Sequence, residues 1–322
     1  ADGSGVLAGT LLSLCWSSVH SHKRNSLIHT DDCPPFVAMN PETGEANLAE
    51  LERELAALPD LDNIQRVLRT RQTDKLTKTL SPKQIDLLEW LSTFPDQGRL
   101  EPSSFEEFAL EFPTESLMLS RSHSKPNYIM KFVDSAPDPE QERIFEQHGT
   151  LLGYHGSSLE NFLSIVRHGF QEKCIKYGHG LFGDGIYFST DPLVAKNFVS
   201  YYQLPKDLIR LLGPSFVNGI FGHRIGCCIV CQVAKHPTDV KFACKDAGSY
   251  IGINGGPGIA KHYVMASSTR YIRHRYLFLY SKFDGNSQRL LFIIVLAYIL
   301  VLGLIFFIKS KQMKRLLSSA RF

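Results

Sequence analysis

The sequence lacks the features that mark several large classes of protein. Its 35 Lys and Arg nearly balance its 32 Asp and Glu, so the formal net charge is only +3 and the basic residues are dispersed. That surplus is too small to predict nucleic-acid binding. The chain also has no internal repeat and no low-complexity tract, which excludes repeat architectures and long disordered segments.

Cysteine is scarce and irregularly spaced. The seven Cys are an odd number, which is typical of reduced thiols in a cytosolic domain and argues against a disulfide scaffold. Cys227, Cys228 and Cys231 resemble half of a zinc motif, but no second CxxC accompanies them. Because they lie inside the apolar, β-branched run 225–233, we interpret them as core residues of a buried strand and expect no metal.

A convincing signal peptide is also lacking. The apolar stretch 6–16 is interrupted by Gly9, Thr10 and Ser13, and an Asp rather than a basic residue precedes it. We therefore expect residues 1–289 to stay in the cytosol.

One long apolar run is present, and it lies near the C-terminus. Residues 290–308 are nineteen consecutive residues without a charge, and as a helix they would span roughly 28 Å, the thickness of a bilayer core. The run predicts a transmembrane anchor that is inserted after translation, because only fourteen residues follow it. Residues 284–289 would form a linker and residues 309–322 a short basic tail.

The position of that run limits where the rest of the chain can work. Basic residues flank it on both sides, so the positive-inside rule does not fix its orientation. A stretch such as 283–289 reaches at most roughly 25 Å, which would keep the preceding domain close to the membrane surface. A short span with basic flanks favours a thin membrane such as the endoplasmic reticulum.

The first 119 residues have a helical pattern. Leu48, Leu51 and Leu55 recur at spacings of three and four, which predicts one face of an amphipathic helix. Ser81 with Gln84 three residues later forms a capping box that opens a further helix. We predict an all-α helical domain over residues 1–119, and nothing in it assembles a catalytic set.

Residues 120–283 have a different pattern. Ser, Pro, Asp and Glu dominate residues 120–149, which predicts a loop-rich boundary. Short strand-like runs then alternate with two predicted helices, 159–168 and 192–200, and together they predict an α+β domain on an antiparallel sheet. The predicted strands are 151–155, 185–189, 225–233, 263–266 and 275–282.

Two stretches of this second part carry the chemistry. In Tyr154-His155-Gly156-Ser157-Ser158 a strand ends on the histidine, which displays its side chain, and Ser157 is in position to cap the following helix. In residues 181–190, LFGDGIYFST, two glycines allow the backbone to approach a ligand closely, and Tyr187 emerges from the strand.

Together, YHGSS with the following NFxxIxxxGF and the later FGxGIYFSTD closely resemble the signature of the diphtheria-toxin-like ADP-ribosyltransferases of the PARP family. The resemblance covers residues 120–283 and implies an NAD-dependent glycosyltransferase with NAD as co-substrate and no metal. A helical N-terminal part and a C-terminal anchor resemble the tail-anchored mono-ADP-ribosyltransferases of the endoplasmic reticulum within that family. The implied partners are protein acceptors near the membrane, including stress sensors of the unfolded protein response, nuclear transport factors and the chain itself.

The resemblance implies a role for individual residues. His155 would donate a hydrogen bond to the adenosine ribose of NAD, and Tyr187 would line the nicotinamide pocket. Phe198 would stack on nicotinamide where many members have a tyrosine, and Ala195 replaces a serine that bonds the nicotinamide amide in polymerising members. The implied catalytic set is His155, Tyr187 and Tyr276, and the implied NAD-binding set is His155, Gly156, Ser157, Tyr187 and Phe198.

Tyr276 takes the third position of the family triad when its strand is aligned to the K-Y-L-L-x-Y pattern. Polymerising members have a glutamate there, which stabilises the positive charge that builds on the ribose as nicotinamide leaves. A neutral phenol can only hydrogen-bond, so this pattern implies transfer of a single ADP-ribose.

Two alternatives from other classes stay open. The domain could bind NAD or ADP-ribose without catalysis, or the chain could be a membrane-tethered interaction protein whose helical part does the work. The glycines within 252–258 do not follow a strand and open a helix, so we expect a flexible loop there rather than a Rossmann phosphate loop.

Overall fold

The computed structural model describes residues 3–29, 32–42, 44, 46–69, 79–94, 98–121, 124–133, 138–172, 183–242 and 262–282. The chain is an α+β protein in which helices come first and an antiparallel sheet follows. The N-terminal helices are α1 (Gly3–Val19), α2 (Arg24–Leu27), α3 (Leu48–Ala56), α4 (Leu61–Arg69) and α5 (Pro82–Ser92).

Local sequence explains where these helices start and which face they bury. The predicted capping box is confirmed: Ser81 Oγ accepts from the Gln84 amide at 3.2 Å, and Gln84 Oε1 accepts from the Ser81 amide at 3.0 Å. On α3 the residues at spacings of three and four are buried, as the pattern predicts. The apolar stretch 6–16 lies in α1, which is buried along most of its length.

Nine strands form one sheet, and each pair whose register is described is antiparallel. The order is β1-β2-β9-β6-β3-β4-β8-β7, with β5 beside β6. The strands are β1 (Arg99–Ser103), β2 (Tyr128–Val133), β3 (Thr150–Gly156), β4 (Ile186–Ser189), β5 (Tyr202–Gln203), β6 (Arg224–Ala234), β7 (Val240–Phe242), β8 (Tyr263–Ala266) and β9 (Ile272–Lys282).

Further helices lie between and beside the strands. They are α6 (Phe105–Glu111), α7 (Pro113–Arg121), α8 (Pro139–His148), α9 (Phe162–His168), α10 (Pro192–Lys196), α11 (Lys206–Leu212) and α12 (Pro214–Phe216). Single 3₁₀ turns at Leu159–Asn161 and Thr269–Tyr271 precede α9 and β9, and a π-helical turn, Val217–Phe221, follows α12.

Strand β6 shows how the sheet divides the interior. Cys227 and Cys231 belong to a large core on one face, whereas Cys228 and Val230 belong to a smaller core on the other face. A strand that is covered on both faces needs apolar residues on both, which explains the apolar run from residue 225 to residue 231. The buried-strand interpretation of the three cysteines is confirmed, and burial raises the pKa of Cys228 to about 12.

The predicted strands are confirmed with small changes of length, but several elements were missed. The N-terminal part is not all-helical, because β1 pairs with β2 at the edge of the sheet. The predicted loop-rich boundary 120–149 is wrong in two places, since it contains β2 and the helix α8. Strand β1 reads RLEPS and α8 reads PEQERIFEQH, so neither has the apolar periodicity from which an element is predicted.

The large core joins both predicted parts of the chain. Leu14 and Trp16 of α1 and Leu51 of α3 share it with Phe162 of α9 and Ile229 of β6. The helical segments therefore complete the core of the sheet. The domain boundary at residue 119 stays a prediction.

Several predictions lie outside the described residues. They are the linker 284–289, the membrane span 290–308, the basic tail 309–322 and the glycine stretch 252–258. Across the described ranges no helix is both long and apolar enough to cross a membrane.

Candidate active site

The sheet opens between β3 and β4, and the signature residues lie at this opening. Strand β3 pairs with β6 along its whole length, but it pairs with β4 only at Tyr154 and Ser189. Beyond that pair the two strands diverge, and the next residue of β3 is His155. A gap between adjacent strands leaves backbone groups and side chains available to a ligand, so the opening is the candidate site.

A hydrogen bond fixes the ring of His155 across this opening. Its Nδ1 lies 2.8 Å from the carbonyl oxygen of Tyr187, so Nδ1 must carry the proton and donate. Desolvation of the imidazole lowers the pKa of His155, although the bond to Tyr187 opposes this shift. A neutral ring with Nδ1 protonated leaves Nε2 as an acceptor. In this tautomer a ribose hydroxyl would donate to Nε2 of His155, whereas the resemblance implies that His155 donates.

Aromatic side chains pack against the imidazole ring of His155. The Phe170 ring lies 5.0 Å from the His155 ring, and it also packs edge-on against Phe188 at 5.4 Å and His274 at 5.3 Å. Gly169, with φ of 75°, ends α9 and turns the chain so that Phe170 enters this cluster. Phe170 lies in the quoted signature, but no local pattern indicates which residues it contacts.

Gly156 is required by packing. A Cβ atom at this position would lie 2.4 Å from the carbonyl oxygen of Ala195, because α10 packs directly on the end of β3. Ala195 itself is buried. Only glycine allows the strand and the helix to approach this closely.

Ser157 does not cap the following helix as predicted. The 3₁₀ turn begins after Ser158, which makes no side-chain cap, and Ser157 Oγ instead accepts from Asn161 Nδ2 at 2.8 Å. The carbonyl oxygen of Ser157 accepts from the amide of Ser200 at 3.3 Å. Ser157 therefore ties the loop after β3 to the segment after α10.

Tyr187 lies on β4 with its phenol secured locally. Its hydroxyl donates to the carbonyl oxygen of Gly183 at 2.7 Å, which holds the glycine loop against the strand. Directly across on β8 lies Met265, and Tyr263 is two residues along on the same face. The ring of Tyr263 lies 6.4 Å from that of Phe198, which is 54% exposed. Tyr187, Tyr263 and Phe198 thus form the aromatic side of the opening.

Tyr276 does not join this group. Strand β9, which carries it, is separated from β4 by β6 and β3, and three strand spacings amount to roughly 14 Å. Its ring is fully buried among aromatic residues of the smaller core, edge-on to Phe108 and Phe112. The strand beside β4 on this side is β8 and not β9, and it carries Tyr263 on the same face as Tyr187. Residues 263–266 are a predicted strand, but which strands are neighbours is a long-range property that no local pattern carries.

Tyr276 has a separate set of polar partners that the sequence did not indicate. Its hydroxyl donates to Glu111 Oε2 at 2.5 Å, and the same carboxylate binds Lys131 at 2.9 Å and also Arg275. Partial burial opposes ionisation of Glu111, but these donors hold the pKa of its carboxyl below the usual range. Burial and the adjacent carboxylate raise the pKa of Tyr276. The cluster is a structural ion pair network away from the opening.

Comparison with known proteins agrees with this geometry. Residues 120–234 match the model of the poly(ADP-ribose) polymerase catalytic domain, a stretch that contains His155, Tyr187 and Phe198. Residues 120–234 are therefore similar to a PARP catalytic domain. Two similar relatives are the protein mono-ADP-ribosyltransferases PARP16 of Mus musculus, 26% identical over 303 residues, and of Homo sapiens, 25% identical over 301 residues. Each alignment covers 88% of this chain and 81% of the relative.

A PARP catalytic domain implies NAD as the substrate. Among the matched residues, His155 has its ring held by the Tyr187 carbonyl and Phe198 has an exposed aromatic face, and these groups suit a ribose hydroxyl and a flat nicotinamide ring. Among the described residues, no group of three His, Cys, Asp or Glu side chains is arranged to hold a metal ion.

Proposed function

We propose that this chain transfers a single ADP-ribose from NAD to protein side chains, including its own. The observation that carries the proposal is the hydrogen bond from His155 Nδ1 to the Tyr187 carbonyl oxygen. This bond orients Nε2 for a ribose hydroxyl at the point where the pairing of β3 with β4 ends. Preorganised hydrogen-bond partners of this kind are what transfer chemistry requires.

The reaction is a pentosyl transfer. The bond between C1′ of the ribose and the nicotinamide nitrogen breaks, and nicotinamide leaves with the electron pair. An acceptor oxygen or nitrogen forms the new bond to C1′, and any proton on it is released. The residues of the site bind and orient NAD for this step: His155 holds a ribose hydroxyl, while Tyr187, Phe198 and Tyr263 enclose the nicotinamide.

Transfer of one unit, rather than a polymer, follows from the side chains that β8 provides. The two β8 residues on the same face as Tyr187 are Tyr263 and Met265, and neither is a carboxylate. The role that the resemblance gave to a tyrosine in place of glutamate therefore passes from Tyr276 to Tyr263. An acidic acceptor could itself supply the missing negative charge, so we expect Asp or Glu among the modified residues. Site mapping that found neither would contradict this expectation.

We further propose that the chain is tail-anchored in the endoplasmic reticulum membrane with the PARP domain in the cytosol. The uncharged run 290–308 supports an anchor, and the alignment with PARP16 extends over most of the chain. The acceptors would then be proteins at or near that membrane, which is consistent with a role in stress signalling.

The test is incubation of the full chain in detergent with labelled NAD, followed by gel electrophoresis and mass spectrometry. A discrete label of one ADP-ribose is expected for the wild type and should be lost in His155→Ala and Tyr187→Ala. Tyr276→Phe is the matched control, because that tyrosine is remote from the opening, and it should keep the label. A polymer ladder would contradict the proposal.

A catalytically inactive reader of NAD or ADP-ribose is the second candidate, and the absence of a carboxylate at the β8 positions facing Tyr187 favours it. Calorimetric titration with NAD and with ADP-ribose separates the two. Measurable binding that is lost in His155→Ala, together with no label under any condition, would replace the transferase by the reader.

A further inference from the structure

The point where the chain leaves the sheet is held by the segment that follows α7. Tyr280, near the end of β9, donates its hydroxyl to the carbonyl oxygen of Ser124 at 3.0 Å. The next amide, of Ser281, donates to Asn127 Oδ1 at 2.8 Å. The end of β9 and residues 124–127 are thus one fixed piece of surface.

Basic side chains collect around this point. Lys196, the last residue of α10, places its Nζ 5.1 Å from the centre of the Tyr280 ring. Lys125 is exposed, with its Nζ 4.1 Å from the Phe105 ring, and Arg121 is the exposed last residue of α7. Neither Arg121 nor Lys125 forms an ion pair with a carboxylate of the described residues.

Apolar side chains adjoin the basic ones on α7. Leu117 is 58% exposed and Met118 is 36% exposed, although both are large hydrophobic residues. They precede Arg121 by four and three residues, so all three lie on one face of the helix. We call the set Leu117, Met118, Arg121, Lys125 and Lys196 the exit surface.

We propose that the exit surface binds the anionic phospholipid headgroups of the membrane that holds the chain. This inference rests on the anchoring proposed above. From the end of β9 the chain reaches at most roughly 25 Å before the apolar run begins at residue 290, so the proposed anchor would keep the end of β9, beside the exit surface, within that distance of the headgroups.

The composition of the surface fits this occupant. Basic side chains near an anionic leaflet each strengthen association by about fivefold, and apolar side chains on the same helix face enter the boundary between headgroups and acyl chains. A protein partner is less well supported as the occupant. The proposed anchor would hold the bilayer next to the exit surface, and it would hold no protein partner there.

Binding here would orient the PARP domain. Lys196 on the exit surface and Phe198 at the opening are two residues apart, so the rim of the NAD site would lie close to the headgroups. The preferred acceptors would then be cytosolic segments that lie within a few residues of a membrane span, as opposed to distant soluble domains.

Hydrogen exchange of the full chain in nanodiscs tests the proposal. Two lipid compositions are compared, phosphatidylcholine alone and phosphatidylcholine with phosphatidylserine. Exchange within residues 113–128 is expected to be at least about fivefold slower in the anionic discs, and raised salt should remove the difference.

The variant Arg121→Glu with Lys125→Glu should abolish the difference between the two lipids. Lys235→Glu is the matched control: it reverses an exposed charge just beyond the opposite end of β6 and should leave the difference intact. Equal exchange of the wild type in both lipids, or a difference that survives in the double variant, would overturn the inference.

Failure of this inference is distinguishable from failure of the proposed function. Flotation with the discs is measured first, and a chain that does not float refutes the anchoring and, with it, the inference. NAD labelling is measured on the same preparations. If transfer alone is lost, the difference in hydrogen exchange between the two lipids can still be interpreted. Since the wild type is compared between two lipids, the conclusion does not depend on a variant folding.

Discussion

At the scale of single residues, the site depends on a histidine whose ring is fixed before NAD arrives. The bond from His155 to the Tyr187 carbonyl selects the tautomer, and Phe170 holds the ring from the opposite side. Preorganisation of this kind lowers the entropy lost when a ligand binds.

The first prediction compares two tyrosines. Tyr263→Ala should lower kcat/KM for NAD by at least about tenfold, because it removes an aromatic wall of the opening. Tyr276→Phe should leave kcat/KM within about twofold, but it should cost about 1–3 kcal/mol of unfolding free energy, since Glu111 loses a donor. Steady-state kinetics and urea unfolding measure both effects. If Tyr276→Phe were the inactive variant, the assignment of the third position to β8 would be wrong.

The second prediction concerns His274, which is 6% exposed and whose Nδ1 is without a partner in the described structure. Burial, and secondly the neighbouring His155, lower the pKa of His274 to about 3. Since the unfolded state binds the proton more readily, stability is complete above about pH 6.5 and falls as the pH is lowered toward 3.

The expected slope is about 1.4 kcal/mol per pH unit for this one group. Urea unfolding between pH 7 and pH 4 measures it, and His274→Phe should be less steep over that range. An equal slope in the variant and the wild type would show that other groups cause the acid sensitivity.

At the scale of elements, α9 connects the site to the N-terminal helices through a buried cation. Arg167 is 2% exposed, and it holds both carboxylate oxygens of Asp32 at 2.6–2.8 Å. It also donates to the carbonyl oxygen of Thr93 at 2.7 Å and to that of Trp90. His168, the last residue of α9, lies 2.9 Å from the same carboxylate. Helix α9, which follows His155 in the chain, is therefore positioned by Asp32, Trp90 and Thr93 from the N-terminal part.

The third prediction follows from this contact. Asp32→Ala should lower the unfolding free energy by about 3–5 kcal/mol, because it leaves Arg167 buried without a counter-charge. Glu52→Ala is the control, since its pair with Arg24 is largely exposed, and it should cost no more than about 1 kcal/mol. Urea unfolding compares them, and equal losses would contradict the structural role of Arg167.

At the scale of the whole molecule, the described residues up to Ser281 form one compact unit. Within this unit, α1 is buried against helices from the N-terminal part and against α9 and α11. Removing the N-terminal segments would expose the apolar face of the sheet, which is a free-energy cost that the remaining residues do not offset.

The fourth prediction is that residues 120–322 do not fold without residues 1–119. A chain of residues 120–322 should lack a cooperative thermal transition and should not bind NAD. Deletion of residues 283–322 is the matched control, and it should keep the transition of the intact chain. A cooperative, NAD-binding fragment 120–322 would instead support an independent helical interaction domain, and with it the membrane-tethered interaction protein.

Local patterns were sufficient where one physical cause dominates. The strands 225–233 and 263–266 follow from apolar and β-branched runs, and the start of α5 follows from its capping box. Strand β1 and helix α8 were missed, because one is a polar edge strand and the other a polar helix whose stability comes from tertiary packing.

The sequence by itself determined that this chain has an α+β architecture, that β6 is a buried strand, and that His155 and Tyr187 lie in motifs similar to those of PARP catalytic domains. These follow from periodicity and from two motifs, which are local properties of the chain. The tertiary structure alone decided that Nδ1 of His155 bonds to the Tyr187 carbonyl, that Tyr263 and not Tyr276 lies beside Tyr187, and that basic residues from α7 and α10 meet at the end of β9. Each of these depends on which strands and helices become neighbours, and that is set by the packing of the whole core.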